Sequence, residues 1–158
     1  MRILFTAFKG KNNSSKILLD NIDCDIKNKL YLTNSFNKSV EELINKLKNT
    51  KYDLIISFGQ LKLNSNVIRI EKNGIGDRIY QTNYDYSKLK NDMIKKGFKV
   101  IESNQTNYLC NNIYYNGLKY IDEENMDCKM IFIHIPKIKV IKEIEEIANI
   151  FNEYVKLK

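Results

Sequence analysis

Histidine and proline each occur once in this chain, as His134 and Pro136, while arginine (Arg2, Arg69, Arg78) and cysteine (Cys24, Cys110, Cys128) each occur three times. Each scarcity excludes something. An odd number of irregularly spaced cysteines is not a disulfide framework, and without a C-x-x-C pair they do not match the ligand spacing of a zinc site. So few arginines argue against a phosphate-reading surface, which concentrates that bidentate donor. The lysines behind the formal charge of +7 are scattered singly among Asn, Ile and Glu. That pattern reads as solvated surface, and no specific nucleic-acid partner is expected. No apolar stretch approaches the ~20 residues needed to span a bilayer. The chain opens directly on a strand-like run without a signal peptide's apolar segment, so a cytoplasmic, reducing setting with no membrane association is expected. Nothing in the composition calls for a metal or other cofactor.

At 158 residues, with 43% hydrophobic and 28% charged content, the chain has material for one complete core. With no internal repeat and no linker, residues 1–158 read as one domain. Along it, strand and helix signals alternate. Arg2 to Phe8 is a short apolar run, after which Asn13 or Ser14 can cap a helix through Ile17, Leu18 and Leu19. Leu30 to Leu32 is a second strand, and Ser39-Val40-Glu41-Glu42 reads as a capping box opening a helix. Asp53 to Phe58 has the continuous apolar character of a strand buried on both faces, ending at Gly59-Gln60. Val67 to Ile70 is another strand. Asn73-Gly74-Ile75-Gly76-Asp77, dense in turn chemistry, predicts a mobile loop. Tyr86 to Lys96 is helical, Gly97 stops it, and Phe98 to Ile101 is a strand. Tyr108 to Ile121 is helical, Lys129 to Ile135 is the most apolar strand, and Val140 to Leu157 is a final amphipathic helix. The alternation predicts an α/β fold: three α/β/α layers, a twisted sheet largely parallel with mixed pairing left open, and helices on both faces.

Two residues carry chemistry in this frame. In such sheets sites form at the carboxyl ends of the strands, and His134 ends one of them. Cys110 follows the strand Phe98 to Ile101 and falls in the first turn of the next helix, where unpaired N–H groups and the helix dipole favour a thiolate. The two are thus expected at one sheet edge, where a thiol and an imidazole together make a nucleophile. Taken singly, a cysteine in an apolar helix is a small core residue and a histidine in a strand a hydrogen-bonded core group. Cys24, between Asp23 and Asp25, is expected to be inert because neighbouring carboxylates raise a thiol pKa, and Cys128 to be structural.

The segment Ser103-Asn104-Gln105-Thr106-Asn107-Tyr108-Leu109-Cys110-Asn111-Asn112 resembles the cysteine signature of the pyroglutamyl peptidase I (pyrrolidone-carboxylate peptidase) family of cysteine peptidases. Phe132-Ile133-His134-Ile135-Pro136 is similar to its histidine signature, in the same order and at a comparable distance. Met1 to Phe8, Leu32 to Ser39 and Tyr52 to Gln60 resemble its other strands and strand-to-helix passages, so the similarity runs nearly end to end. The resemblance implies an exopeptidase that removes N-terminal pyroglutamate from peptides through a thioester on Cys110, with His134 as base. It also implies Phe8 against the pyrrolidone ring, Tyr108 near the pocket, Gln60 or its backbone on the lactam amide, and assembly into homo-oligomers.

The chain departs from the family pattern in places. Lys9-Gly10-Lys11 replaces an Asp-Pro-Phe-Gly-Gly loop and with it the second aromatic wall of the pocket. Leu61 to Asn66 replaces a stretch whose glutamate orients the catalytic histidine. The nearest acids downstream are Glu71 and Asp77, with Asn66 as an amide alternative, and Glu71 is favoured. Gln105-Thr106 stands where an Ala-Gly pair precedes the cysteine motif, which alters the freedom of an oxyanion loop. Arg78-Ile79 and Asn83 echo a lid segment. Loss of the glutamate and half the pocket supports a second expectation, a non-catalytic relative that binds a peptide or small lactam.

Overall fold

The computed structural model describes residues 1–104, 108–141 and 143–157. The opening apolar run forms β1 (Ile3–Phe8), and the side-chain oxygen of Asn13 accepts the Ser15 N–H to cap α1 (Ser14–Asn21). A short 3-10 turn leads into β2 (Lys29–Leu32), then α2 (Phe36–Asn49) and β3 (Leu54–Leu61). The chain continues through β4 (Val67–Glu71), β5 (Asn73–Ile75), β6 (Ile79–Gln81), α3 (Ser87–Lys95) and β7 (Lys99–Ser103). It ends with α4 (Tyr108–Glu123), β8 (Lys129–Pro136) and α5 (Ile144–Lys156). No helix among the described residues is long and apolar enough to cross a membrane.

Six strands form one sheet in the order β2-β1-β3-β8-β4-β7. Alternation along each strand divides the core between two faces. Phe5, Phe58, Ile131 and Ile133 meet Leu18 of α1, Leu89 of α3 and Phe151 of α5 on one face. Leu4, Ile55, Met130 and Phe132 meet Leu43 of α2 and Ile113 of α4 on the other. β3 and β8 lie in the middle, covered on both sides, which is why they are the most continuously apolar segments. Each side chain so buried contributes about 1.5–3 kcal/mol. The expected three-layer architecture with helices on both faces is the one observed.

The sheet is mixed. β2, β1, β3 and β8 run parallel, whereas β4 pairs antiparallel with β8 and parallel with β7. The reason lies in the link between β3 and β4: residues 62–66 are far short of the dozen or so that a parallel crossover needs, so the chain turns back. This corrects the expectation that Cys110 and His134 meet because both follow carboxyl ends at one edge, since β7 runs against β8.

Other local expectations shift for identifiable reasons. α2 begins a turn before the expected box: Ser35 is the cap, accepting the Lys38 N–H at 3.2 Å. Ser39 then lies inside the helix, and Glu42 accepts the Thr33 N–H and hydroxyl, each at 2.8 Å. The expected loop over Asn73 to Asp77 is instead half of the β5–β6 hairpin, held against α4. α5 starts at Ile144 rather than Val140, because Val140 and Ile141 donate to the Lys137 carbonyl in a turn.

Candidate active site

Cys110 and His134 do come together, by a different route from the one their strands suggested. α4 runs back across the sheet face, with Cys110 in its first turn above Gly59 and Gly117 midway along it above Met130. Its first turn is pinned on two sides. The Asn111 amide donates to the Ile75 carbonyl at 2.7 Å and accepts the Ile75 N–H at 2.8 Å, tying the turn to the hairpin. Asn112 donates to the Phe36 carbonyl at 3.0 Å, tying it to α2. The asparagines after Cys110 stood in the sequence as part of a signature; their work is to fix the height and direction of the thiol.

Gly59 lies between the two groups. It is in register with His134 on the neighbouring strand, and a Cβ placed on it would sit 2.8 Å from Cys110 Sγ, 3.0 Å from Phe132 Cε1 and 3.1 Å from His134 Cδ2. Any side chain there would wedge thiol and imidazole apart. The missing Cβ lets both sulfur and ring settle over the same spot of backbone.

His134 is wholly buried, with the Phe132 ring tilted against it at 5.0 Å. Its Nδ1 lies 2.8 Å from Oε1 of Glu71, also 0% exposed. Glu71 reaches it from β4, where Arg69 is in register with His134 and Glu71 with Phe132. The same Oε1 accepts the Arg69 Nε–H at 2.6 Å, and the Tyr114 hydroxyl donates to the Glu71 carbonyl at 2.9 Å. With a carboxylate oxygen as the acceptor at Nδ1, the ring carries its proton there and leaves Nε2 bare. Nε2 has no hydrogen-bond partner among the described residues, and neither has Glu71 Oε2.

Burial dominates the electrostatics. It pushes the imidazole below its ordinary value, against the opposing pull of Glu71, so His134 is neutral at rest. Cys110 is 5% exposed, and burial followed by the Glu71 charge pushes its thiol up to about 12, with Arg69 acting the other way. This corrects the expectation of a thiolate favoured by the helix dipole: in a dry site desolvation outweighs it. Cys128 is pushed up to about 12 as well, by burial first and then Asp53 and Asp127, and Cys24 is raised by burial with Asp23 and Asp25 adding to it.

Beside the thiol lies a cavity of about 190 Å³ lined by Phe8, Asn13, Asn34, Gly59, Gln60, Leu109, Cys110 and Lys137. That volume equals roughly six waters. Phe8 and Gln60, which the resemblance places at the substrate, line this cavity. The Gln60 carbonyl accepts the Ser14 N–H at 3.0 Å, and Asn13 uses its carbonyl on Ser15, so the lining amides keep N–H donors for a guest. Tyr108 is not among these residues: it is 79% exposed and meets Phe36 edge-on at 4.7 Å. Asp77 and Asn66 are both exposed, and neither is seen at His134, where Glu71 stands. Gln105-Thr106, the expected oxyanion segment, lies outside the described residues. Among those described, no three His, Cys, Asp or Glu side chains converge as metal ligands.

No family model matches the chain. Individual proteins do. The pyrrolidone-carboxylate peptidase of Brachyspira hyodysenteriae is 30% identical over 169 residues, covering 87% of this chain and 84% of its own length. That of Thermoanaerobacter pseudethanolicus is 28% identical over 172 residues, covering 89% and 84%. Among solved structures, pyroglutamyl peptidase I of Bacillus amyloliquefaciens superposes with a TM-score of 0.84 at 18% identity, over 95% of this chain and 92% of that one. The pyrrolidone carboxyl peptidase of Thermococcus litoralis gives 0.81 at 20% identity, over 99% and 92%. The fold, shared across so low an identity, agrees with the sequence relation that runs nearly the full length, and the chain belongs to the pyrrolidone-carboxylate peptidase family.

Proposed function

We propose that the protein is a cysteine exopeptidase that removes N-terminal pyroglutamate from peptides, with Cys110 as nucleophile, His134 as base and Glu71 as the group that orients and polarises His134. The observation that carries this reading is the buried Glu71–His134 contact of 2.8 Å, which leaves Nε2 bare on the side where Cys110 and His134 share the space above Gly59.

The resting state is a neutral thiol beside a neutral imidazole, so proton transfer accompanies attack. As the Cys110 sulfur bonds to the scissile carbonyl carbon, its proton passes to Nε2, and the imidazolium formed is stabilised by Glu71. Collapse of the tetrahedral intermediate breaks the C–N bond, and Nε2 gives its proton to the leaving amine. Water, deprotonated by the same nitrogen, then adds to the thioester carbonyl; the C–S bond breaks, pyroglutamate leaves, and Nε2 returns the proton to the Cys110 sulfur. Cys110 is the third residue of α4, and first-turn N–H groups, which lack intrahelical acceptors, supply donors for the oxyanion. The small cavity suits a single compact ring, with Phe8 and Leu109 as apolar walls and Gln60 among the donors for a lactam carbonyl.

Release of a fluorophore from a pyroglutamyl amide tests this, beside Cys110→Ala and a prolyl amide. Turnover of the pyroglutamyl amide alone, lost in the variant, is the expected result; no turnover by the intact chain would refute the reading. The depth of Cys110 favours one alternative, a non-catalytic relative that binds a lactam-capped peptide. That alternative predicts saturable binding of the pyroglutamyl amide without release.

A further inference from the structure

Glu71 presents a problem that its contact with His134 does not solve. A carboxylate with no solvent exposure has no water to bond and must find its donors within the protein. Held by the imidazole alone, the group could turn and would no longer specify which ring nitrogen of His134 carries the hydrogen. A neutral imidazole offers one N–H to the carboxylate and no charge.

Arg69 supplies what is missing. It stands two residues before Glu71 on β4, so both side chains project from the same face of the strand. Its Nε lies 2.6 Å from the Oε1 that also faces His134 Nδ1, and its side chain keeps 19% of its exposure, so the guanidinium brings a permanent charge inward without being wholly stripped of water. One oxygen thus receives a donor from each of two neighbouring strands. Tilting the carboxyl group would break both bonds together, and among the described residues Oε2 has no partner to hold it instead.

We propose that Arg69 is a positioning residue for the catalytic pair: it holds the Glu71 carboxylate in place and aims Oε1 at Nδ1, and so fixes the His134 tautomer that leaves Nε2 free to take a proton. The proposal rests on the reading of His134 as the base. The ionisable groups facing this imidazole among the described residues are Arg69 and Glu71 from β4 and Cys110 from α4, with Tyr114 of α4 bonded to the Glu71 backbone; the position in register on β3 is Gly59.

Because His134 is the only histidine, its ring nitrogens can be followed by ¹⁵N NMR in the full chain without ambiguity and without turnover. The wild type is expected to show widely separated nitrogen resonances, Nδ1 protonated and Nε2 bare, at neutral pH. Arg69→Gln is expected to collapse that separation towards tautomeric averaging, whereas Arg69→Lys, which keeps the cation, retains most of it. In turnover, Arg69→Gln is expected to lower kcat roughly tenfold or more with little change in KM, and Arg69→Lys to restore part of it. Should Arg69→Gln not fold, Arg69→Met carries the same expectation. A neutral variant at position 69 that keeps the wild-type nitrogen pattern across the titration overturns the proposal, and so does an Arg69→Lys pattern as collapsed as that of Arg69→Gln. An intact chain with no turnover but the expected spectra would refute the peptidase reading and leave the Arg69 assignment standing.

Discussion

The two ends of β8 are built from the same materials and behave differently. At its start, Cys128 is buried and its thiol raised to about 12; near its finish, Cys110 sits over the sheet equally buried and equally raised. At the Cys128 end the neighbouring backbone groups are paired. Asn83 donates to the Cys128 carbonyl at 2.9 Å and accepts the Met130 N–H at 3.0 Å, and the Thr82 hydroxyl donates to the Met130 carbonyl at 2.6 Å. At the His134 end, Nε2 and Glu71 Oε2 are buried and have no partner among the described residues. Burial and a raised thiol are therefore no mark of function in this molecule. What separates the two ends is polar capacity left open at one of them, against the rule that buried polar groups are paired.

The largest expected effect tests that contrast directly. Cys110→Ala should abolish release of pyroglutamate, whereas Cys128→Ala should leave kcat/KM within about twofold and cost roughly 1–2 kcal/mol in urea unfolding, since it removes one buried atom and leaves a small cavity. Glu71→Gln comes next. It keeps the shape but reverses which partner donates to His134, and kcat should fall by roughly 10²–10⁴ with stability less affected.

Gly59→Ala, on β3 under the first turn of α4, and Gly117→Ala, on α4 itself, make a matched pair. The added methyl at 59 meets Cys110, Phe132 and the His134 ring, while that at 117 meets Met130 Sδ at 2.5 Å, a flexible side chain. Both should destabilise by roughly 1–3 kcal/mol, and only the first should cut turnover, by about a hundredfold. Residual activity of Gly59→Ala near the wild-type level would break the assignment of that glycine.

The smallest effect is on the pH dependence of stability. His134 has a lowered pKa in the folded chain, so below the ordinary value of about 6.5 the unfolded chain binds the proton more readily and stability is lost as pH falls. The raised thiols act in the opposite direction: above about 9.0 the unfolded chain releases protons that the folded one retains, and stability falls as pH rises. Chemical denaturation across pH should show the alkaline limb weakened equally by Cys110→Ala and Cys128→Ala, even though only one of them affects catalysis.

Much of this was legible in the chain. β1, β3 and β8 announce themselves because strands covered on both faces need continuous apolar residues. Cys110, His134, Phe8 and Gln60 sit in recognisable local contexts, and Glu71 was the nearest acid to a gap. What could not be read depends on distance in sequence. The direction of β4 follows from a short link whose meaning appears only once β8 is known to insert beside it. The Asn73 to Asp77 segment has turn chemistry whether it moves or forms a hairpin, and the Asn111 contacts to Ile75 that decide the matter cross 36 residues. In sequence Arg69 is only one of few arginines, because its place facing inward two residues before a buried acid appears only in the fold. The resting charge of Cys110 is not legible because a helix N-terminus is visible in sequence and desolvation is not.

The depth of Cys110 also bears on oxidation. Peroxides attack thiolates, and a shielded, protonated sulfur presents little of one, so sulfenic acid should accumulate slowly at neutral pH, a rate that dimedone labelling measures. Nor can Cys110 be locked into an internal disulfide with Cys128. Their stations on the sheet are separated by the length of β8 from Lys129 to His134, roughly 17 Å at strand spacing, where a disulfide bond needs Cα atoms within about 7 Å. The burial that keeps the Cys110 thiol protonated thus also keeps it reduced.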